Sequence, residues 1–313
     1  MSEIINRSLV HIQTSKVKWI LHRIGAHELY DPDYRLVCAY GEELNLPLEE
    51  VLTLLLSDPW KGRDSPFRTI LRDGHFVRLY IDQSLLPTAR FPAITGLKVT
   101  ELELSSRGGL NFDLSGLKPK SLPDLIDFCC VCSDLQELDL SPFPMLERLQ
   151  CQFNQLTELD LSHVPNLREL LCFENQLKEL DLSPVKGIRV LWCGDNQLTE
   201  IDLSESPNLE DLCDWNNPST GIDVSNLTKL KRLGCTGMGI SSLVLSANPI
   251  LAELYCFNNQ LSDLDLSSVP NLISLDCRDN QIIELDVRNL SNLETLKCDP
   301  ATRVVQRPDQ NFK

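Results

Sequence analysis

Positive charge is scarce in this chain of 313 residues. Its 29 lysines and arginines stand against 45 aspartates and glutamates, and the formal net charge is −16. Proteins that bind nucleic acid generally need a basic surface, so no nucleic-acid partner is expected. If the negative charge has a role in binding, it favours a basic protein as the partner.

Long apolar runs are also missing. No run approaches the roughly 18 residues that a membrane-spanning helix needs, and the N-terminal residues lack the apolar core and cleavage site of a secretory signal. With twelve cysteines and no such signal, we expect a cytoplasmic monomer with reduced thiols and no membrane partner. A protein exported by a specialised secretion system would lack the same signal, so translocation stays open.

Signatures of catalysis and of metal binding are absent from the sequence. It contains no P-loop, no G-x-S-x-G motif, no H-E-x-x-H motif and no kinase signature. The one dense cysteine cluster, Cys129, Cys130 and Cys132, lacks a second pair at zinc-site spacing. We therefore expect a protein that is not an enzyme and that has no cofactor and no metal.

Cysteine, in contrast, recurs with a fixed period. Cysteine chemistry does not require a constant spacing, but a repeat architecture does. Position 214, where one further cysteine would fall, holds Asp214, and Cys213 precedes it. The cysteines on the 21-residue spacing are Cys130, Cys151, Cys172, Cys193, Cys235, Cys256, Cys277 and Cys298.

The repeating unit reads L-x-x-L-x-C-x-x-N-Q-L-x-x-L-D-L-S-x-x-P-N, as in residues 146–166. Two stretches, L-x-C and L-D-L, alternate apolar and variable residues, which predicts a short strand on each side of a flat coil. One coil buries too little surface to fold alone, so stacking must stabilise it. The sequence predicts a β-rich solenoid of about eight to nine coils, with few or no helices in the repeats.

The periodic cysteines allow two interpretations. Stacked strands lie about 4.8 Å apart, so distance alone permits a disulfide between successive coils. Such a bond would turn two core side chains away from their packing, whereas a buried free thiol acts as a small apolar group. We favour buried, reduced cysteines.

The repeating unit resembles the leucine-rich repeat family, and most of all its bacterial IRREKO-type class. The resemblance covers about residues 104–298 and implies recognition of a partner rather than catalysis. It also implies that the asparagines of the unit form a structural ladder, consisting of Asn154, Asn175, Asn196, Asn217, Asn259 and Asn280. Residues 209–250 lose several consensus residues, so a local kink or loop distortion is expected there.

Carboxylates fill most outward positions of the L-D-L segments. One interpretation is a face that attracts a cationic protein. The other is that each aspartate binds the turn that follows, at Ser141, Ser162, Ser183 and Ser204, which explains the aspartates and only part of the glutamates. The acidic positions are Glu137, Glu158, Glu179, Glu200, Asp263, Glu284, Asp139, Asp160, Asp181, Asp202, Asp223, Asp265 and Asp286.

The L-x-C strand predicts a different surface. Its outward position and the position after the cysteine carry large apolar side chains, which would mark an interface if they are exposed together. Alternatively, the position after the cysteine turns inward, while alternation keeps Trp192 and Tyr255 outside. The apolar residues are Leu171, Phe173, Trp192, Trp215, Tyr255 and Phe257, of which Phe173, Trp215 and Phe257 follow the cysteine position.

The first part of the chain does not repeat. We predict an N-terminal cap or small domain, α/β or mainly helical, over 1–95, and a solenoid with a short tail over 96–313. Val17 to Ile24 has helical spacing of apolar residues, and a second helix is predicted from Leu46 to Ser57. Phe76 to Asp82 predicts a strand.

These patterns favour a recognition module that binds a basic protein through the repeat strands, for example an immunity-type inhibitor of a toxin. The alternative is a secretion-system effector that acts in a host cell through its N-terminal region. The candidate partner-binding residues are Leu171, Phe173, Trp192, Trp215, Tyr255, Phe257, Glu158, Asp160, Glu179, Asp181, Glu200 and Asp202.

Overall fold

The structure is a computed structural model of the chain. It describes residues 10–14, 17–24, 27–30, 35–40, 46–56, 69–72, 75–82, 97–105, 114, 122–219, 221–246 and 248–312. The chain divides into two compact units, Met1–Leu146 and Glu147–Lys313. No helix among the described residues is long and apolar enough to cross a membrane.

The first unit combines strands with short helices. Its elements are β1 (Val10–Thr14), β2 (Val17–Ile24), β3 (His27–Tyr30), α1 (35–40), α2 (Leu48–Leu56), β4 (Ile70–Arg72), β5 (His75–Asp82), β6 (Glu101–Ser105) and β7 (Asp127–Cys129). Strands β1 to β3 form an antiparallel sheet, and β4 is antiparallel to β5. Strands β5, β6 and β7 pair in parallel, which begins the repeat pattern.

Two of the three N-terminal predictions are confirmed. The predicted second helix is α2, where the Pro47 carbonyl accepts the N–H groups of Glu50 and Val51 at 3.0 and 3.1 Å. The predicted strand is β5. The helix predicted at Val17–Ile24 is wrong, because this segment is β2 and pairs with a strand on each side. Its β-branched and aromatic residues suit a strand, and the two ladders outweigh the helical spacing.

Each repeat of the second unit contributes one strand to a parallel sheet, and two further strands pair with each other near the C-terminal end. The strands are β8 (Arg148–Gln150), β9 (Glu169–Leu171), β10 (Val190–Trp192), β11 (Asp211–Cys213), β12 (Arg232–Gly234), β13 (Glu253–Tyr255), β14 (Ser274–Asp276), β15 (Glu284–Asp286), β16 (Thr295–Lys297) and β17 (Arg303–Val305). Strands β8 to β14 and β16 form one parallel sheet, with each residue opposite its repeat equivalent. The predicted β-rich solenoid, of about nine coils with few helices, is confirmed.

The second strand predicted in each unit is wrong for most coils. Only one described L-D-L segment, β15, is a strand, and it pairs with β17 at the C-terminal end. In the other coils, except the one in which Val244 holds this position, the aspartate side chain accepts the N–H two residues later, as Asp160 accepts that of Ser162 at 2.8 Å. This local bond turns the chain directly after the segment. The same bond also follows β15, where Asp286 accepts the N–H of Arg288 at 3.0 Å, so the bond by itself does not prevent a second ladder.

The interior of the solenoid consists of leucine and cysteine side chains. Cys151, Cys172, Cys193, Cys235 and Cys256 are all 0 % exposed, and all twelve cysteines are free thiols. Burial raises the pKa of Cys172 to about 12, which keeps the thiol protonated and unreactive. The cysteines therefore act as small apolar core residues.

The predicted asparagine ladder is confirmed. The Asn175 amide donates to the carbonyl oxygens of Cys151 and Cys172, both at 3.0 Å, and its oxygen accepts the N–H of Leu156 at 3.0 Å. Each such amide thus joins its own coil to the one before. It satisfies backbone groups that a buried turn would otherwise leave unpaired.

The kink expected over residues 209–250 does not appear in the sheet. Strands β11 and β12 keep the register of their neighbours. Met238 replaces the ladder asparagine there, and the oxygen of Asn259 accepts the N–H groups of both Met238 and Ile240, at 3.1 and 3.2 Å. The bond to Ile240 is the ordinary ladder bond, and the Asn259 amide additionally satisfies the N–H of Met238. Residues 220 and 247 of this region lie outside the described residues.

Candidate functional site

Each repeat strand presents two side chains on the outer face of the sheet. The central leucine is fully buried, as at Leu170, Leu191 and Leu254. The residues before and after it in these three strands are partly exposed. The prediction considered the residue after the leucine and the residue after the cysteine. Alternation also places the residue before it outside, which adds Glu169, Val190, Asp211, Arg232 and Glu253 to the face.

Four aromatic rings pack together on this face. The ring centroids of Phe173 and Trp215 are 5.3 Å apart, and those of Phe173 and Trp192 are 6.2 Å apart. Phe153, which the prediction did not include, packs edge-on against Phe173 at 5.2 Å. We call Phe153, Phe173, Trp192 and Trp215 the aromatic cluster. Their contacts join side chains from four successive coils.

The missing side chain of Gly194 makes room for Trp215. A Cβ atom at position 194 would lie 2.1 to 2.6 Å from three atoms of the Trp215 indole. The indole therefore lies directly over the Gly194 backbone, because no other residue type would let it approach so closely. The ring of Trp192 stands at 73° to it, with the centroids 6.5 Å apart.

Carboxylates hold the two indoles in place. Asp195 accepts the indole N–H of Trp215 on one oxygen and the side-chain amide of Asn216 on the other, at 2.8 Å. Asp211 accepts the indole N–H of Trp192 at 3.1 Å. Both indoles are thus fixed at their polar edges, and their apolar surfaces remain for packing or binding.

A second polar group lies beside the cluster. Arg232 donates to Asp211 at 3.2 Å and to Glu253 at 2.8 Å, and the Tyr255 hydroxyl donates to Glu253 at 3.1 Å. The hydrogen bond that Arg232 donates to Glu253 lowers the pKa of Glu253 and raises the pKa of Arg232. Burial raises the pKa of Tyr255. This network fixes Tyr255 at the edge of the face.

The structure places all six predicted apolar residues on the sheet side, each partly exposed. The inward alternative is wrong, since Phe173, Trp215 and Phe257 are not buried.

Tyr255 lies two strands beyond Cys213 in the sheet register, with Gly234 between them. The large side chains thus form the aromatic cluster and a separate pair, Tyr255 and Phe257. Arg278 lies over the Phe257 ring, 5.8 Å from its centroid.

The six predicted carboxylates lie elsewhere on each coil. They are exposed, and they occupy the L-D-L segments rather than the strands that carry the aromatic side chains. Hydrogen bonds from the backbone and hydroxyl groups of Ser162 lower the pKa of Asp160, and Ser204 does the same for Asp202. The aspartates therefore have a structural role in the turn. The residues are Glu158, Asp160, Glu179, Asp181, Glu200 and Asp202.

Asp214 is the one carboxylate within the cysteine column. It is 1 % exposed and accepts hydrogen bonds from the Asn217 amide at 2.5 Å and from the Cys193 thiol at 3.7 Å. Burial raises the pKa of Asp214 to about 6. No group of histidines, cysteines and carboxylates among the described residues is arranged to hold a metal ion.

Comparison with solved structures identifies the fold. The functional domain of InlJ from Listeria monocytogenes, which includes a cysteine ladder, has a TM-score of 0.55 and 24% identity over 76% of this chain and 58% of its own. A leucine-rich repeat protein of Leptospira interrogans has a TM-score of 0.57 and 23% identity over 66% and 56%. The fold is that of a leucine-rich repeat solenoid.

A third similar structure is the plant peptide hormone receptor RGFR1 in complex with RGF2. Its TM-score is 0.53, with 19% identity over 68% of this chain and 36% of the receptor. This chain aligns with little more than half the length of each of the two bacterial structures. No family model and no curated protein matches the sequence.

Proposed function

We propose that this protein is a recognition module, not an enzyme, and that it binds a basic protein partner through the outer face of its parallel sheet. The aromatic cluster is the observation that carries the proposal. The repeat needs leucine, cysteine and asparagine inside, but nothing in its packing requires tryptophan outside. Tryptophan and tyrosine are enriched at the energetic centres of protein interfaces.

The charges on this face favour a basic partner. Glu174 and Asp195 follow Phe173 and Gly194 in the chain, and no ion pair joins either carboxylate to a cation among the described residues. The whole chain has a net charge of −16, which would speed association with a cationic protein. In its most specific form, the proposal is that the protein inhibits a basic toxin, as an immunity protein does. It would act as a cytoplasmic monomer of the bacterial IRREKO-type class.

Affinity capture from the source cell tests this function. We expect wild-type protein to capture a basic protein, and the double variant Trp192→Ala/Tyr255→Ala to lose most of it. Ile283→Ala is the matched control, because Ile283 is an apolar side chain that is 79 % exposed and lies outside the sheet. Equal capture by the double variant and the wild type would contradict the proposal. Capture should also weaken with added salt.

A further inference from the structure

We propose that Trp215 and Asp195 together form a receptor for one arginine side chain of the partner. The guanidinium group would stack on the outer face of the Trp215 indole and donate a hydrogen bond to Asp195. This inference deepens the proposed function and rests on it, since it names the chemical group that the aromatic cluster recognises. Tryptophan is the best aromatic partner for a cation, and arginine forms such pairs more often than lysine does.

The aromatic cluster has the shape of an open corner. One face of the Trp215 indole covers Gly194, so its other face points away from the backbone of the sheet. Trp192 stands nearly perpendicular to it at 73°, and Phe173 is tilted by 48°. Trp215 therefore forms a floor, and Trp192 and Phe173 form two walls. A flat group that stacks on the floor also contacts the walls.

Asp195 can accept a further hydrogen bond at the edge of this floor. Each of its carboxylate oxygens accepts one bond, from Trp215 and from Asn216, and each carboxylate oxygen can accept two. Asp195 forms no ion pair within the described part of the chain, whereas Asp211 and Glu253 on the same face share Arg232. Asp195 is thus the carboxylate next to an indole that is still open to a cation.

Arginine fits this corner better than lysine does. A guanidinium group is planar and stacks on an aromatic face while its N–H groups point outward in the ring plane. The Asp195 carboxylate lies at the N–H edge of the indole, where those groups would reach it. A lysine ammonium has no plane to stack and is more strongly hydrated.

The receptor is ordered before a ligand arrives. The Trp215 indole lies over the Gly194 backbone and contacts the rings of Trp192 and Phe173. Its N–H donates a hydrogen bond to Asp195. Side chains that are already fixed lose little conformational entropy on binding. An isolated arginine-rich peptide should therefore bind measurably without the rest of the partner.

Titration with hexa-arginine, hexa-lysine and hexa-glutamate at low ionic strength tests the receptor. Binding is followed by calorimetry and by the indole N–H signals in ¹H–¹⁵N spectra. We expect hexa-arginine to shift the Trp215 signal and to bind more tightly than hexa-lysine, and hexa-glutamate not to bind. Asp195→Asn should lower the affinity for hexa-arginine about fivefold to tenfold. Asparagine has nearly the same shape and tolerates the left-handed backbone at position 195, where φ is 50°. Its single acceptor oxygen can keep the bond from Trp215 while the bond from Asn216 is lost.

Glu294→Gln is the matched control, because Glu294 is an exposed carboxylate that lies outside the strands and was not predicted to bind a partner. Equal losses of affinity for hexa-arginine in Asp195→Asn and Glu294→Gln would overturn the inference, since they would reflect net charge alone. Equal affinity of the wild type for hexa-arginine and hexa-lysine would overturn the choice of arginine. If these tests fail while capture still depends on Trp192 and Tyr255, the proposed function stands without the arginine receptor. If hexa-arginine binds but the double variant captures normally, the proposed function fails instead.

Discussion

Two sides of the same short strand behave in opposite ways. On the inner side, the position two residues after the central leucine is cysteine in almost every coil, as at Cys172 and Cys193. On the outer side, one residue earlier, the side chain differs from coil to coil, as at Leu171, Trp192 and Gly234. Stacking on an identical neighbour constrains the inner side, while the outer side has no such neighbour to match. Repetition therefore marks the fold, and its absence marks the candidate site.

This comparison separates two kinds of substitution. A change on the inner side removes packing or hydrogen bonds between coils, and should lower stability without altering the binding face. A change on the outer side should alter binding with little effect on stability. The variants below test this separation, from the largest expected change in unfolding free energy to the smallest.

The largest effect is expected for Asn196→Ala. The Asn196 amide donates to the carbonyls of Cys172 and Cys193 at 3.0 and 2.9 Å, and its oxygen accepts the Leu177 N–H at 3.0 Å. Removing it leaves several buried backbone groups without partners. We expect the free energy of unfolding in urea to fall by about 3 to 4 kcal/mol.

Asn208→Ala is the matched control for this loss. Asn208 also donates to a carbonyl of the preceding coil, that of Lys186 at 3.2 Å, but in an exposed setting. Water can replace that bond, so the cost should stay below about 1 kcal/mol. Similar losses for the two asparagines would show that the ladder contributes no more than a surface hydrogen bond.

Asp214→Cys tests the one interruption of the inner column and should increase stability. The buried carboxylate has a pKa of about 6, against an ordinary value of 3.8. A raised folded-state pKa means that folding favours the protonated form, so this stability is present below about pH 4 and is lost as pH rises through about 6. The variant, which restores the repeat, should be more stable than the wild type by about 2 to 3 kcal/mol at pH 7.

The pH dependence distinguishes this explanation from simple repacking. The other titrating groups are shared by the two proteins, so the difference between them isolates position 214. It should be small near pH 4 and grow towards pH 7, as measured by urea unfolding at each pH. A difference that does not vary with pH would mean that the Asp214 charge is not the destabilising element.

The inner side could be predicted from the sequence because its physics is local and repeated. The period follows from the recurrence of the unit, the alternation around Leu170 follows from the unit itself, and the asparagine ladder is what the resemblance to leucine-rich repeats implied. The second strand was wrong because alternation shows which side chains face the interior but not whether a segment pairs with its neighbours, which among the described L-D-L segments only β15 does. The helix at Val17–Ile24 was wrong because helical spacing does not reveal the strands on either side.

The outer side could be predicted only in part. Alternation placed Trp192 and Tyr255 outside, and composition indicated an interface. The corner formed by Trp215 depends on contacts between coils. The indole lies over Gly194 of the preceding coil, and its N–H donates to Asp195 of that same coil. Such contacts do not repeat, so no single unit shows them. A glycine at a position where neighbouring coils hold Phe173 and Trp215 was the available signal.

Gly194→Ala tests that corner and should have the smallest effect on stability. The added methyl group would lie 2.1 Å from the Trp215 indole, so the ring must move while the coil remains stacked. We expect a loss of about 1 kcal/mol in unfolding free energy, together with a changed Trp215 indole N–H signal. Gly221→Ala is the matched control, because its methyl group would meet nothing within 4 Å. If Gly194→Ala left the indole signal unchanged, Trp215 would not lie over Gly194, and the floor of the arginine receptor would be lost with it.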